Sequence, residues 1–172
     1  MTSIQACEIP PNALLRPYAE RGFADAYTTV LPGLVSHAAF VEAFYSTPLF
    51  GLERWLLKWF AGRPSTHEDA RRLAQGEASS FAAWQVESRT PDQLLLSDFT
   101  GRTRSWLMVA TADSTSSAPC TSLYFGSAVL RRKAEGSNSA SMGFGFHALL
   151  GFHRLYSRRL LRAASARLRA SN

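Results

Sequence analysis

The stretch GFHALLGFHRLYSRRLLRAASARLRA, residues 145–170, decides how the rest of the chain is read. It carries six arginines and two histidines among leucines and aromatics. Three readings compete: a basic arm, a metal or catalytic helix, and a core helix with a basic outer face. On a wheel at about 100° per residue, Phe146, Leu149, Leu150, His153, Tyr156, Ser157, Leu160, Leu161, Ala164 and Leu168 share an arc of about 140°. Arg154, Arg158, Arg162 and Arg169 cluster on one flank, and Arg159 lies on the far side. The spacing predicts an amphipathic helix lying on a sheet, with the arginines on its wet side. Arginine is a good helix former, so a solvated arginine face requires no ligand.

His153 falls in the middle of the apolar arc, beside Tyr156 and Ser157. It is read either as a core histidine bonded to the sheet or as a polar group lining a ligand cavity. His147 points about 120° away, so the two histidines do not share a metal. The helix holds no Asp, Glu or Cys to complete a ligand set. Neither a metal nor a cofactor is expected.

Bulk properties narrow the classes. At 172 residues with 46% hydrophobic content, one domain with a real core is expected. No apolar run approaches the roughly 18 residues of a membrane span. MTSIQACEIPPN lacks the basic-then-apolar pattern of a secretory signal. Cys7 and Cys120 are too few for a disulfide framework and have no partners at metal spacing. A reducing, cytoplasmic setting is the expectation. The net charge of +6 is uneven: residues 131–172 hold nine Arg or Lys against one Glu, and the remainder is slightly acidic. The high pI therefore belongs to the C-terminal segment, and no nucleic-acid partner is expected. An acidic partner surface or anionic lipid remains a reading for Arg154, Arg158, Arg162 and Arg169.

Working back along the chain, residues 1–22 read as an N-terminal extension in which PNALLRPYAERG forms a short helix or packs on the surface. ADAYTTVLPG, 24–33, is β-rich and ends at Pro-Gly, which predicts a first strand. Ser36 caps a helix through AAFVEAFY. Thr47-Pro48 restarts a second, with Leu49, Leu52, Trp55, Leu56 and Trp59 at helical spacing up to Gly62. Ser65 and Glu68 read as a capping box for a third, HEDARRLAQ, closed by Gly76. The period then changes. FAAWQVES, QLLLSDF, RTRSWLMVATA and CTSLYFGSAVLRR are four β-rich runs on short connections, which implies an antiparallel meander. EGSNSASMG reads as a flexible linker into the terminal helix. This order is an α+β layout in which helices cover one face of a sheet and leave a cavity beneath the last helix.

Reactive motifs are sparse. Gly143-Phe144-Gly145 does not follow a strand in a βαβ unit, so it is no dinucleotide fingerprint. Ser36-His37 and Thr66-His67-Glu68-Asp69 sit at helix starts, where capping explains them. No nucleophile elbow or zinc-protease helix occurs. On the strands, Arg104, Trp106 and Met108 share one face, with Thr103, Ser105, Leu107 and Val109 on the other. Tyr124 and Ala128 oppose Leu123, Phe125, Ser127 and Val129. Asp98 and Arg104 flank the Thr100-Gly101 turn and read as a cross-strand ion pair. Trp84, Trp106, Tyr124 and Phe125 are core aromatics in the plainer reading.

Three segments resemble the START-like, helix-grip (SRPBCC) superfamily, and within it an uncharacterised bacterial family of unknown function. They are ADAYTTVLPG at 24–33, FYSTPLFGLERWLLKWF at 44–60, and LYFGSAV together with FHALLGFHRLYSRRLLRAA near the end. QLLLSDFTGRTRSWLMV is a looser match. The resemblance implies a helix-grip domain over 24–170 with a cavity and no assigned reaction. Relatives in that superfamily bind sterols, lipids, polyketides or aromatic compounds, and some are enzymes. Fold alone does not choose among them. The leading expectation is non-catalytic binding of a small hydrophobic ligand or lipid between sheet and terminal helix. Its walls are read as Tyr27, Trp84, Trp106, Tyr124, Phe146, Leu149 and Tyr156, with His153 as the polar contact. The alternatives are a cyclase- or hydrolase-type enzyme with His153 as acid or base, partnered by Asp98 or Glu87, and an interaction module using the arginine flank.

Overall fold

The computed structural model describes residues 3–47, 66–112, 118–130 and 143–170. Within the last stretch, side chains are described only from Ser157 onward. The proposed helix at 48–61 and residues 135–142 of the EGSNSASMG linker lie outside the described residues, and the linker's last residue, Gly143, begins the terminal helix.

The ordering principle is a seven-stranded antiparallel sheet. Its strands are β1 (Gln5–Cys7), β2 (Gly22–Pro32), β3 (Ser80–Phe81), β4 (Trp84–Arg89), β5 (Gln93–Asp98), β6 (Thr103–Ala112) and β7 (Cys120–Leu130). Their spatial order is β1-β2-β7-β6-β5-β4-β3. The meander from β3 to β7 follows from short turns. Asp98 closes the β5–β6 turn by accepting from the backbone N–H of Arg102 (2.8 Å) and Thr103 (2.9 Å). Gly101 supplies its positive φ of 68°. The expected single run FAAWQVES divides in two, because Ala82 takes φ 51° and turns the chain between β3 and β4. β1 had no sequence signal at three residues.

Four described helices accompany the sheet: α1 (Arg16–Ala19), α2 (His37–Tyr45), α3 (His67–Gln75) and α4 (Gly143–Ala170). α2 begins where Ser36 Oγ accepts from the Ala39 N–H at 3.1 Å. α3 has a capping box one residue later than Ser65 and Glu68 suggest. Thr66 and Asp69 exchange the two bonds, at 3.2 and 2.8 Å, and Gly76 ends the helix at φ 81°. Thr66 is the last residue with extended backbone, so the cap falls there.

The period of two sorts each strand into faces. One face carries Tyr27, Leu31, Leu94, Leu96, Leu107, Leu123 and Phe125, and α2, α3 and α4 cover it. Phe40, Val41 and Phe44 come from α2, Leu73 from α3, and Leu160, Leu161, Ala164 and Leu168 from α4. Arg158, Arg159, Arg162 and Arg169 are exposed, as the wheel predicts. The opposite face is a second core. Ala26, Leu95, Trp106, Met108 and Ala128 pack there under Ile9, Ala13 and Leu15 of the N-terminal segment. Gln93, 4% exposed, pins that segment. Its Oε1 accepts from Leu14 N–H and from Trp106 Nε1, each at 2.9 Å, and its Nε2 donates to Asn12 O at 3.1 Å.

Candidate functional site

The helix-covered face is mainly apolar, with buried Thr29 and Thr121 toward one end and a more polar rung at the other. In the register, Asp25 of β2 lies opposite Ser127 of β7, and Ser127 lies opposite Ser105 of β6. The next rung is Tyr27, Phe125, Leu107 and Leu94, which is apolar apart from the tyrosine hydroxyl. Asp25 accepts from Ser127 Oγ at 2.7 Å through Oδ1 and from the Tyr27 hydroxyl at 3.1 Å through Oδ2. Ser105 is joined to the Tyr45 hydroxyl of α2 at 3.1 Å, in a buried bond. Ser127 and Ser105 are buried, so of this rung Asp25 alone stays partly exposed, its carboxylate held by the hydroxyls of Ser127 and Tyr27.

Next to this rung, an open groove of about 590 Å³ forms where β1 stops against β2. Ala6 and Cys7 of β1, residues 24–27 of β2 and Arg158 of α4 line it. Arg158 stands with its guanidinium carbon 5.7 Å from the centre of the Tyr27 ring. Burial pushes the Cys7 thiol up, which leaves it protonated at neutral pH and a poor nucleophile. Among the described residues no three His, Cys, Asp or Glu side chains converge as metal ligands.

The structure separates the residues expected to form one cavity. Tyr27 lines the groove and is 4% exposed. Trp84 is on the same face, but β4 is four strands from β2, about 19 Å along the sheet. Its indole N–H is buried without a hydrogen-bond partner. Trp106 and Tyr124 are corrected outright. They lie together on the opposite face, ring centres 6.2 Å apart, beneath the N-terminal segment. Leu107 and Phe125, one residue along each strand, take the helix-facing positions. Alternation identified residues that share a face but not which face the helices cover. Phe146, Leu149, His153, Arg154 and Tyr156 belong to the part of α4 whose side chains lie outside the described residues.

The carboxylates considered as partners for His153 are engaged elsewhere. Asp98 holds its own turn and also accepts from Thr100 Oγ1 at 2.6 Å. It does not pair with Arg104, because Arg104 lies opposite Ser97 and points to the other face. There Arg104 meets Glu87, Nε to Oε2 2.6 Å, in a close approach that is off the N–H direction. The same guanidinium stacks 4.7 Å from the Tyr18 ring centre, and the Tyr18 hydroxyl donates to Glu87. This cluster ties α1 to the sheet.

Sequence reasoning missed Asp25 and Ser127, whose pairing requires the β2–β7 register across 102 residues. It also passed over His37 as part of a cap. The imidazole is 8% exposed, and its Nε2 is buried without a partner. Burial first, then the charge of Arg89, lowers its pKa to about 4, against opposing pulls from Asp92 and the backbone of Leu107.

No family model, curated protein or solved structure matches the chain. The class defined by fold and site together is an α+β protein with a helix-covered antiparallel sheet and a groove beside a polar rung. Among the described residues, no helix is long and apolar enough to cross a membrane.

Proposed function

We propose that the chain is a helix-grip protein of START-like type that binds a small, mainly hydrophobic ligand without transforming it. Support for the fold reading comes from the connectivity. The first long strand β2 pairs with the last strand β7, the helices intervene between β2 and β3, and α4 packs on α2, β2 and β7. The observation that carries the functional reading is the half-buried carboxylate of Asp25, held by Ser127 and Tyr27, in a groove whose other walls are mainly apolar. An apolar body would lie against the groove wall at Ala6, Cys7 and Ala24, and Asp25 would fix its polar end.

Native mass spectrometry of the protein purified from its own host is the test. A bound lipophile is expected as a discrete mass increment. It should be lost in Ala6→Trp, which fills the groove from the exposed end of β1. The absence of any adduct, together with no binding of 1-anilinonaphthalene-8-sulfonate to the native protein, defeats this reading.

A further inference from the structure

Asp25 and Arg158 line the same groove, carry opposite charges and do not pair with each other. Asp25 is half-buried, and both of its oxygens are held by neutral hydroxyls, from Ser127 and Tyr27. No cation neutralises it among the described residues. Part of the carboxylate stays open to the groove, where an arriving cation can meet it in a charge-assisted hydrogen bond. Arg158 is exposed, stands over the ring of Tyr27 and likewise has no carboxylate partner among the described residues. Tyr27 lies between the two: its hydroxyl bonds Asp25, and its ring faces the guanidinium.

We infer that the ligand of this groove is a small zwitterion, its ammonium group held by Asp25, its anionic group by Arg158, and its apolar body on the groove wall at Ala6, Cys7 and Ala24. This rests on the binding reading above and names the polar end that reading leaves open. Ser127 and Tyr27 hold the carboxylate oxygens in place before binding, which lowers the ordering cost of the contact. An ammonium donor fits the lone pairs that the two hydroxyls leave on Asp25. The guanidinium offers its fork of donors to a carboxylate or phosphate. A free amino acid and a phosphatidylethanolamine headgroup share this chemistry.

Isothermal titration calorimetry separates them. The probes are L-phenylalanine, 2-phenylethylamine (ammonium alone) and 3-phenylpropionate (carboxylate alone). Dihexanoyl phosphatidylethanolamine and dihexanoyl phosphatidylglycerol, below their micelle concentrations, form the lipid arm. At least one zwitterion is expected to bind about tenfold or more tightly than its singly charged analogues. Binding of phenylalanine assigns a free small molecule, and binding of phosphatidylethanolamine alone assigns a lipid headgroup. Asp25→Asn keeps one acceptor oxygen and puts an NH2 donor in place of the other, which the Ser127 or Tyr27 hydroxyl can meet through its oxygen, and Arg158→Gln changes an exposed residue. Each is expected to weaken the zwitterion about tenfold. Arg159→Gln, equally exposed but away from the groove, is expected to leave affinity unchanged. The inference is overturned if zwitterions bind no better than the single-charge compounds, or if both groove variants keep wild-type affinity. A co-purifying lipophile with no zwitterion preference removes this inference and leaves the binding reading standing.

Discussion

His37 is buried in the first turn of α2, where Ser36 caps the helix. A neutral imidazole suits that environment, and an imidazolium does not. Its pKa falls from 6.5 in the unfolded chain to about 4 in the fold. The unfolded state therefore binds the proton first as pH drops. The stability contribution is complete above pH 6.5 and is lost progressively as pH falls to about 4. The groups facing it are Arg89 from the end of β4, Asp92 from the following turn and the backbone of Leu107 in β6. Urea denaturation at a series of pH values is expected to show a loss on the order of 3 kcal/mol from this group across that window. In His37→Phe the corresponding part of the slope should vanish. Parallel pH curves for the two proteins would show that His37 does not titrate this way.

At the scale of elements, close approach is the governing constraint on β7. Gly126 faces the second core, directly opposite Trp106. A Cβ there would stand 2.7 Å from Leu15 Cδ2, 2.9 Å from Trp106 Cε3 and 3.0 Å from the Asp25 carbonyl oxygen. The leucine tip can shift, but the indole and the backbone of β2 have little freedom. Gly126→Ala is expected to cost about 1–3 kcal/mol in chemical denaturation. Because the strain falls on the backbone of Asp25, ligand affinity should fall with it. An unchanged unfolding midpoint would mean that β2 and the N-terminal segment yield more readily than this packing implies. Helix α4 shows the opposite case. Ser157, Leu160, Leu161, Ala164 and Leu168 are buried where a simple wheel places them, because the helical period is a local property.

For the whole molecule, the N-terminal segment is a structural cover. Without it, Trp106, Met108, Leu95 and Ala128 would form an exposed apolar face. Gln93 holds it through two hydrogen bonds, from Leu14 N–H and to Asn12 O, and the Tyr18–Glu87–Arg104 cluster fastens the far end. Deleting residues 1–15 removes Ile9, Ala13 and Leu15 from the second core and leaves the Gln93 amide without two of its partners. The shortened chain is expected to lose at least about 3 kcal/mol. It should also associate, measured by urea denaturation and light scattering. A monomeric, equally stable product would show that this face tolerates water.

The α+β class, the capped start of α2, the start of α3 to within a residue, the antiparallel meander of the later strands and the apolar face of α4 from Ser157 onward were legible in the sequence alone. Each follows from a local signal: a cap, a turn residue, or a period of 2 or 3.6. Tertiary structure decided which face of the sheet the helices cover, and so moved Trp106 and Tyr124 away from the groove. It also matched Arg104 with Glu87 in place of Asp98, and it set Asp25 beside Ser127. The reason is physical. Alternation sorts side chains into two sets, but only the register between distant strands and the choice of covering segment assign those sets to a core, a groove or a seal. The stretch at 145–170 could show its own apolar stripe. The carboxylate that shares a groove with its Arg158 comes from a strand more than a hundred residues earlier.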